Sequence, residues 1–255
     1  MRNRLLSKFT LLFLIVMPLW GCNLPVRQTL PTPTQPADQT LISSPTPTPL
    51  CENLYFPNTS GDQWEYAGSN SLIGAYNRTD TITSSTTQSF VEQTTIANDT
   101  YPVTYDCSAA GLTSTDPIQQ YAGALLNTPE VAASVKLTSN SGVSLPANIA
   151  PGGTWQQKAD WQATSQQVNT NGRFVFEYAA AGYEDVTLPS GTFRALRVTG
   201  TIRIEVTGLH ILAGTYTTTT WWVPKVGLVK SEGTSHVPGI EFTDNMELTS
   251  FTPAP

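Results

Sequence analysis

Residues 196–206 read Leu-Arg-Val-Thr-Gly-Thr-Ile-Arg-Ile-Glu-Val, and their alternation decides the fold class. Leu196, Val198, Ile202, Ile204 and Val206 share one phase, and Arg197, Thr199, Thr201, Arg203 and Glu205 the other. A period of two with one apolar phase marks an antiparallel strand buried on a single face. The same pattern returns where Ile240, Phe242, Met246 and Leu248 alternate with Glu241, Thr243, Asn245, Glu247 and Thr249. Phe174, Phe176 and Tyr178 predict a third strand, and the threonine-rich run Tyr216–Val223, ending in Trp221-Trp222, a fourth. Leu188-Pro189-Ser190-Gly191 has the residue types of a tight turn between two strands. One stretch predicts a short helix: Asp116 as its cap, Pro117 in the first turn, then Ile118, Tyr121, Ala122, Leu125 and Leu126 on one face.

Outward from these strands the chain echoes itself. Gly61-Asp62-Gln63-Trp64 returns as Gly152-Gly153-Thr154-Trp155, with Pro57 and Pro151 shortly before each. Later, Tyr105-Asp106-Cys107-Ser108-Ala109-Ala110-Gly111-Leu112 aligns with Trp221-Trp222-Val223-Pro224-Lys225-Val226-Gly227-Leu228. The expectation is an all-β, mainly antiparallel body over residues 51–252. It would form a curved sheet or half-barrel, built from two copies of one unit, 51–114 and 145–252, with the short helix between them.

The N-terminus carries an address. Arg2, Arg4 and Lys8 precede an apolar run from Phe9 to Trp20, the form of a secretory signal peptide and too short for a permanent membrane span. Leu19-Trp20-Gly21-Cys22 resembles the lipobox read by lipoprotein signal peptidase, with Trp20 departing from the small residue usual there. Residues 1–21 are therefore expected to be removed and Cys22 lipidated. Asn23–Leu50 contains seven prolines and six threonines and has little to bury. It reads as a tether of about 30 Å as a coil and about 80 Å stretched as polyproline II. Loss of the three basic residues leaves 10 basic against 19 acidic ones, a net charge of −9. Such a surface offers no basic stripe to nucleic acid. With Cys22 assigned to lipid, Cys51 and Cys107 remain, and in an oxidising compartment they are expected to pair.

Three stretches carry a family resemblance. They are Leu54-Tyr55-Phe56-Pro57 leading to Gly61 and Trp64-Glu65-Tyr66, the run Leu188–Val198 (LPSGTFRALRV), and Trp222–Lys230 (WVPKVGLVK). The chain resembles uncharacterised bacterial surface lipoproteins that pair a P-G-W-x-Y opening with P-x-G-x-F-x-A-L-x-V and W-x-P-x-V-G-L-V-K strands. That resemblance implies a curved antiparallel sheet distantly similar to lipoprotein-carrier folds. It implies no catalytic residues.

Reactive groups are few. His210 and His236 are the only histidines, twenty-six residues apart, and neither has metal-ligand spacing. Ser235 adjoins His236, but neighbours on a strand face opposite ways. Glu184, Asp185, Glu241, Asp244 and Glu247 fall mostly in polar phases or turns, and Asp244, Asn245 and Glu247 match no calcium loop. No cofactor, metal or catalytic residue is expected. Aromatic side chains on a concave sheet suit binding better: Trp155, Trp161, Tyr216, Trp221 and Trp222 are the candidate contacts for a lipid, a glycan or an envelope protein. Trp221 and Trp222 must face opposite sides. The reading is a non-enzymatic lipoprotein on the extracytoplasmic face of a bacterial membrane. The alternatives are a hydrolase or hydrolase accessory with a carboxylate site, and a purely structural module.

Overall fold

Alternating side chains at 196–206 belong to one of the two longest strands of a thirteen-stranded sheet in which every pairing is antiparallel. The computed structural model describes residues 50–118, 127–128, 131–132, 134–164, 169–207, 214–237 and 240–255. A first meander comprises β1 (Gln63–Asn70), β2 (Gly74–Ser85), β3 (Ser89–Ile96), β4 (Asp99–Ser108) and β5 (Gly111–Ser114). A separate two-stranded ladder joins β6 (Asn127–Thr128) to β7 (Val131–Ala132). Next come β8 (Ser134–Gly142) and β9 (Leu145–Pro146). The second meander comprises β10 (Thr154–Thr164), β11 (Asn169–Leu188), β12 (Gly191–Thr207), β13 (Gly214–Val223), β14 (Gly227–Val237) and β15 (Ile240–Thr252). The two meanders join through β15 and β1, where Trp64 pairs with Phe251.

The sheet is open, with β8 and β9 as its outermost strands. Yet these two strands are nearly continuous in sequence, separated only by Val143 and Ser144, so the two ends of the ladder meet there. Ser144 N–H donates to Leu112 O at 2.8 Å on one side, and Val143 N–H to Gln156 O at 3.0 Å on the other. Buried Gln157 completes this seam. Its Nε2 donates to Ser114 O and to Asn140 Oδ1, both at 2.9 Å, and its Oε1 accepts from Ser144 Oγ at 2.6 Å. A buried amide left without partners costs about 1–3 kcal/mol, so its full pairing matters.

Curling the sheet crowds its concave face, and glycines make room for aromatic rings there. Trp161 lies over Gly172, Tyr178 over Gly200, Tyr216 over Gly233 and Tyr76 over Gly68. Glycine weakens a strand and a large ring across it restores packing, so the pairs bend the ladder without opening voids. Register shifts between Ala180 and Gly182 and between Trp221 and Trp222 add local bends. Two apolar clusters result. One gathers Trp161, Phe174, Phe176, Ile202 and Ile204 with Ile118. The other gathers Trp64, Phe90, Leu112, Leu196, Val229 and Leu248.

The disulfide expected between Cys51 and Cys107 is present, with Cα atoms 4.9 Å apart. All four strands read from alternation are present, and Leu188↔Gly191 closes the β11–β12 hairpin around Pro189 and Ser190. No helix occurs among the described residues. At the expected helix start, Asp116 Oδ1 accepts from Ile118 N–H at 3.3 Å and Pro117-Ile118 form a turn. The remaining positions, Tyr121, Ala122, Leu125 and Leu126, lie outside the described residues. So do the expected signal peptide, Cys22, the tether and His210.

The two echoed motifs occupy comparable places. Trp64 opens β1 and Trp155 opens β10; Trp64 Nε1 donates to Val226 O at 2.5 Å and Trp155 Nε1 to Ser144 O at 3.0 Å. The later pair differs in its turn. Ser108 pairs with Gly111 across two residues, whereas Val223 pairs with Gly227 across three.

Candidate functional site: an aromatic cavity on the concave face

Because residues of eleven strands converge, the curled sheet encloses a cavity of about 460 Å³. That is within the range of small-molecule sites. One wall carries Tyr66, Tyr76, Arg78, Asp80, Glu92 and Tyr101. The facing wall carries Trp155, Tyr178, Ile202, Tyr216, Thr218 and Trp222. Eleven of the lining residues are aromatic, which offers large, stiff contact surfaces with polar edges.

One end is stoppered by the segment before β1. Phe56 packs on Phe90 and Tyr105, with ring centroids 5.3 Å away in each case, and its ring also approaches Trp222 at 6.5 Å. The Cys51–Cys107 bond anchors this segment to β4, and Lys225 N–H donates to Leu54 O at 2.7 Å from the opposite side. The other end is the mouth: Ile73, at the β1–β2 turn, lines the cavity and is still 69 % exposed. Beside it Asp244 accepts from Asn70 Nδ2 at 3.0 Å and from the Tyr76 hydroxyl at 3.1 Å.

The wall formed by β2, β3 and β4 is charged. Asp80 is 2 % exposed and Glu92 6 %, and Arg78 Nε donates to Asp80 Oδ1 at 2.8 Å. Burial works against the Arg78 charge, but Asp80 and Glu92 outweigh it and hold the guanidinium firmly protonated. The Arg78 guanidinium also stands 5.9 Å above the Tyr66 ring. Glu92 has weaker support, a 3.4 Å hydrogen bond from the Tyr105 hydroxyl. Burial first, and then the nearby Asp80 charge, push the Glu92 carboxyl up to about 8, against the smaller opposing pull of Arg78 and Tyr105. Burial raises the Tyr66, Tyr101 and Tyr105 phenols as well.

Of the five candidate contacts, Trp155, Tyr216 and Trp222 line the cavity, and Trp161 and Trp221 do not. Trp161 is packed into the apolar cluster it forms with Phe174 and Phe176. Trp221 faces the opposite side from Trp222, where its Nε1 donates to Glu184 at 2.6 Å and Lys230 lies 5.2 Å over its ring. Ser235 is buried and His236 exposed, so the adjacent pair does diverge. Glu184, Asp185 and Glu247 pair with Arg197, Arg194 and Lys230 respectively, as solvated strand faces do, and Glu241 is exposed. Asp244 is the one member of that set in the cavity. Among the described residues no three His, Cys, Asp or Glu side chains are grouped to hold a metal.

Asp80 and Glu92 went unnoticed in the sequence. Their signal was present: in Phe90-Val-Glu92-Gln-Thr94-Thr-Ile96 the acid occupies the apolar phase, and Asp80 shares the phase of Ile82. A carboxylate at an inward position must find partners or change its protonation.

No protein-family model matches this sequence, and no curated protein matches it. Solved structures do share its fold. One is assigned as a lipoprotein of Parabacteroides distasonis, with a TM-score of 0.52 at 14 % identity over 79 % of this chain and 99 % of the other. Another is a protein of Bacteroides fragilis assigned as exported, with a YmcC-like fold and a TM-score of 0.50 at 14 % identity over 78 % and 99 %. At such identity the likeness is one of fold: an open, curled antiparallel sheet common to this chain and those two proteins.

Proposed function

We propose that this chain is a lipid-anchored extracytoplasmic binding protein that holds a small amphipathic molecule in the concavity of its sheet. In this reading residues 1–21 are removed, Cys22 carries the lipid, and 23–50 tether the folded part to the outer side of a bacterial membrane. The charged n-region, the lipobox-like Leu19–Cys22 and the Pro/Thr-rich stretch support export and anchoring. A disulfide fits an oxidising compartment. The fold is shared with one protein assigned as a lipoprotein and one assigned as exported.

The observation that carries the binding role is the aromatic cavity of about 460 Å³. Its rings surround a space instead of forming a flat exposed row, which suits an enclosed apolar body with polar groups more than an extended polysaccharide. The test is fluorescence titration of the full chain with N-phenyl-1-naphthylamine, a neutral apolar probe. Saturable binding is expected, weakened about tenfold by Trp222→Ala or Trp155→Ala, the equivalent of about 1.4 kcal/mol. Absence of saturable binding, or full binding by both variants, would overturn the reading. Cys22→Ser is expected to move the protein from the membrane fraction to the soluble one; a variant still bound to membrane removes the anchor from the account.

A further inference from the structure

Arg78 enters the cavity wall with its Nε donating to Asp80 Oδ1 at 2.8 Å, while its two Nη atoms make no hydrogen bond among the described residues. A guanidinium has five N–H groups, so most of its donors are unspent. The Nη atoms are not among the sealed polar atoms that lack a partner, and the side chain is 18 % exposed. Arg78 shares the inward phase of β2 with Tyr76 and Asp80, and all three line the cavity, so the unspent edge opens on that space. Tyr101 adds a second donor. Its side chain lines the same wall, close enough to Arg78, Asp80 and Glu92 for their charges to act on it, and its hydroxyl makes no hydrogen bond among the described residues. Glu92 adds a third. Burial and then Asp80 push its carboxyl up to about 8, so near neutrality it carries an O–H in place of a charge.

The acceptors of this lining are already engaged. Asp80 is paired with Arg78, and Asp244 at the mouth accepts from Asn70 and Tyr76. With Arg78 balanced by Asp80 and Glu92 neutral, the wall lacks an acceptor oxygen and no charge. An anion would add its charge beside Asp80, and a cation would face Arg78 without accepting from it. A site with unspent donors rejects a ligand that cannot accept from them.

Resting on the reading of the cavity as a ligand site, we infer that Arg78, Tyr101 and Glu92 form a donor subsite for an uncharged acceptor oxygen. The ligand class is then a neutral amphipath whose polar end is a carbonyl or phosphoryl group, as in an ester, an amide or a phosphine oxide. Its oxygen accepts from the free edge of Arg78, Tyr101 and Glu92 offer their hydroxyls from the same wall, and its apolar body lies along Trp222 and Trp155 in the remaining cavity.

The groups facing Glu92 are Arg78 and Asp80 from β2, Tyr66 from β1, and Tyr101 and Tyr105 from β4. Burial raises the three phenols and the nearby acids keep Arg78 protonated, which leaves Glu92 as the group of this wall raised into the neutral range. Ionised Glu92 has no hydroxyl to offer and competes for the free edge of Arg78. Binding of a neutral acceptor above about pH 8 therefore takes up a proton and weakens about tenfold per unit.

Calorimetric titration of the full chain with three ligands of one tail tests the inference: decyldimethylphosphine oxide, which is neutral and only accepts, decanoate, and decyltrimethylammonium. At pH 7 the phosphine oxide is expected to bind at least about tenfold more tightly than either ion. At pH 9 it is expected to bind about tenfold more weakly than at pH 7, with about one proton taken up per ligand in buffers of different ionisation enthalpy. Arg78→Lys keeps the charge beside Asp80 but not the second edge, and Tyr101→Phe removes only the hydroxyl. Each is expected to weaken the phosphine oxide about tenfold, and N-phenyl-1-naphthylamine by less. Glu92→Gln retains a neutral donor and is expected to bind the phosphine oxide equally at the two pH values. Cooperative thermal unfolding of the parent at both pH values, and of each variant, checks that the chain is folded. If either ion binds as tightly as the phosphine oxide, if Tyr101→Phe and a folded Arg78→Lys both bind it fully, or if the parent binds it equally at pH 7 and pH 9, the donor subsite is wrong, and saturable binding of N-phenyl-1-naphthylamine still upholds the cavity reading. If neither that probe nor the phosphine oxide binds, both fall.

Discussion

Tyr76 folds across Gly68, its cross-strand partner, so that a β-carbon at residue 68 would fall 2.2 Å from the phenol ring. The atoms in the way belong to the outer part of a side chain, which can swing aside. Gly68→Ala is therefore expected to cost only about 1–2 kcal/mol in urea unfolding. It would also push Tyr76 off Asp244 at the cavity mouth and weaken binding of the neutral probe. Gly172→Ala meets Trp161 and also the Glu205 carbonyl, 2.5 Å away in the backbone. Its cost is expected to be larger, about 3 kcal/mol, because a strand must shift. Equal losses for the two variants would refute the distinction.

Glu92 links stability to pH. Its folded-state carboxyl sits at about 8, above the ordinary value of 4.5, so the folded chain holds a proton that the unfolded chain releases. The associated stability is complete below the unfolded value and is lost as pH rises through the folded one. Thermal unfolding between pH 5 and pH 8.5 is expected to show a falling Tm, and Glu92→Gln a flatter profile over the same window. A parent Tm that rises over this range contradicts the placement of Glu92 in the wall.

Removing the Cys51–Cys107 bond by Cys107→Ser releases a loop with a sequence separation of 56 residues. The chain-entropy model puts the loss at about 4 kcal/mol. Phe56 would then leave its place against Phe90 and Tyr105, opening the stoppered end. Faster exchange of the bound probe, measured by stopped-flow fluorescence, is the expected sign. Unchanged exchange would show that the stopper holds without its anchor.

Gln157→Leu tests the seam. The substitution keeps volume but removes one of the two donors to Ser114 O, the donor to Asn140 Oδ1 and the acceptor of the Ser144 hydroxyl, and a loss of about 2 kcal/mol is expected in chemical unfolding. A neutral result would mean that Asn140, whose Nδ2 already donates to Ser114 O at 2.8 Å, is enough.

The second meander was legible because its strands separate their phases. Leu196–Val206 and Ile240–Thr249 are apolar on one side and polar on the other, and each became a strand with that side inward. The first meander was harder to read. In Gly74–Ser85 threonine and serine occupy both phases, and Ile82 is the one large aliphatic residue in the run. Opposite faces for Trp221 and Trp222 followed from strand geometry, but local sequence does not say which face curls inward. Trp221 looked as suitable a contact as Trp222 for that reason, and Trp161 as suitable as Trp155. Curvature depends on where rings meet glycines across strands, as at Trp161 and Gly172 or Tyr178 and Gly200, a relation between residues distant in sequence. The acidic wall was missed because a carboxylate in an inward phase reads as a break in the pattern until its neighbours on other strands are known.

Pairing of β1 with β15 brings Gln63 beside Thr252, almost the two limits of the folded region. A ladder whose middle rung needs its last residues has a high contact order and folds slowly. If the chain is exported N-terminus first, as proposed above, the opening meander would wait with one flank unzipped until the final strand arrives. Such a polypeptide would stay pliant for as long as threading lasts, and its completion would be timed by the emergence of its last strand.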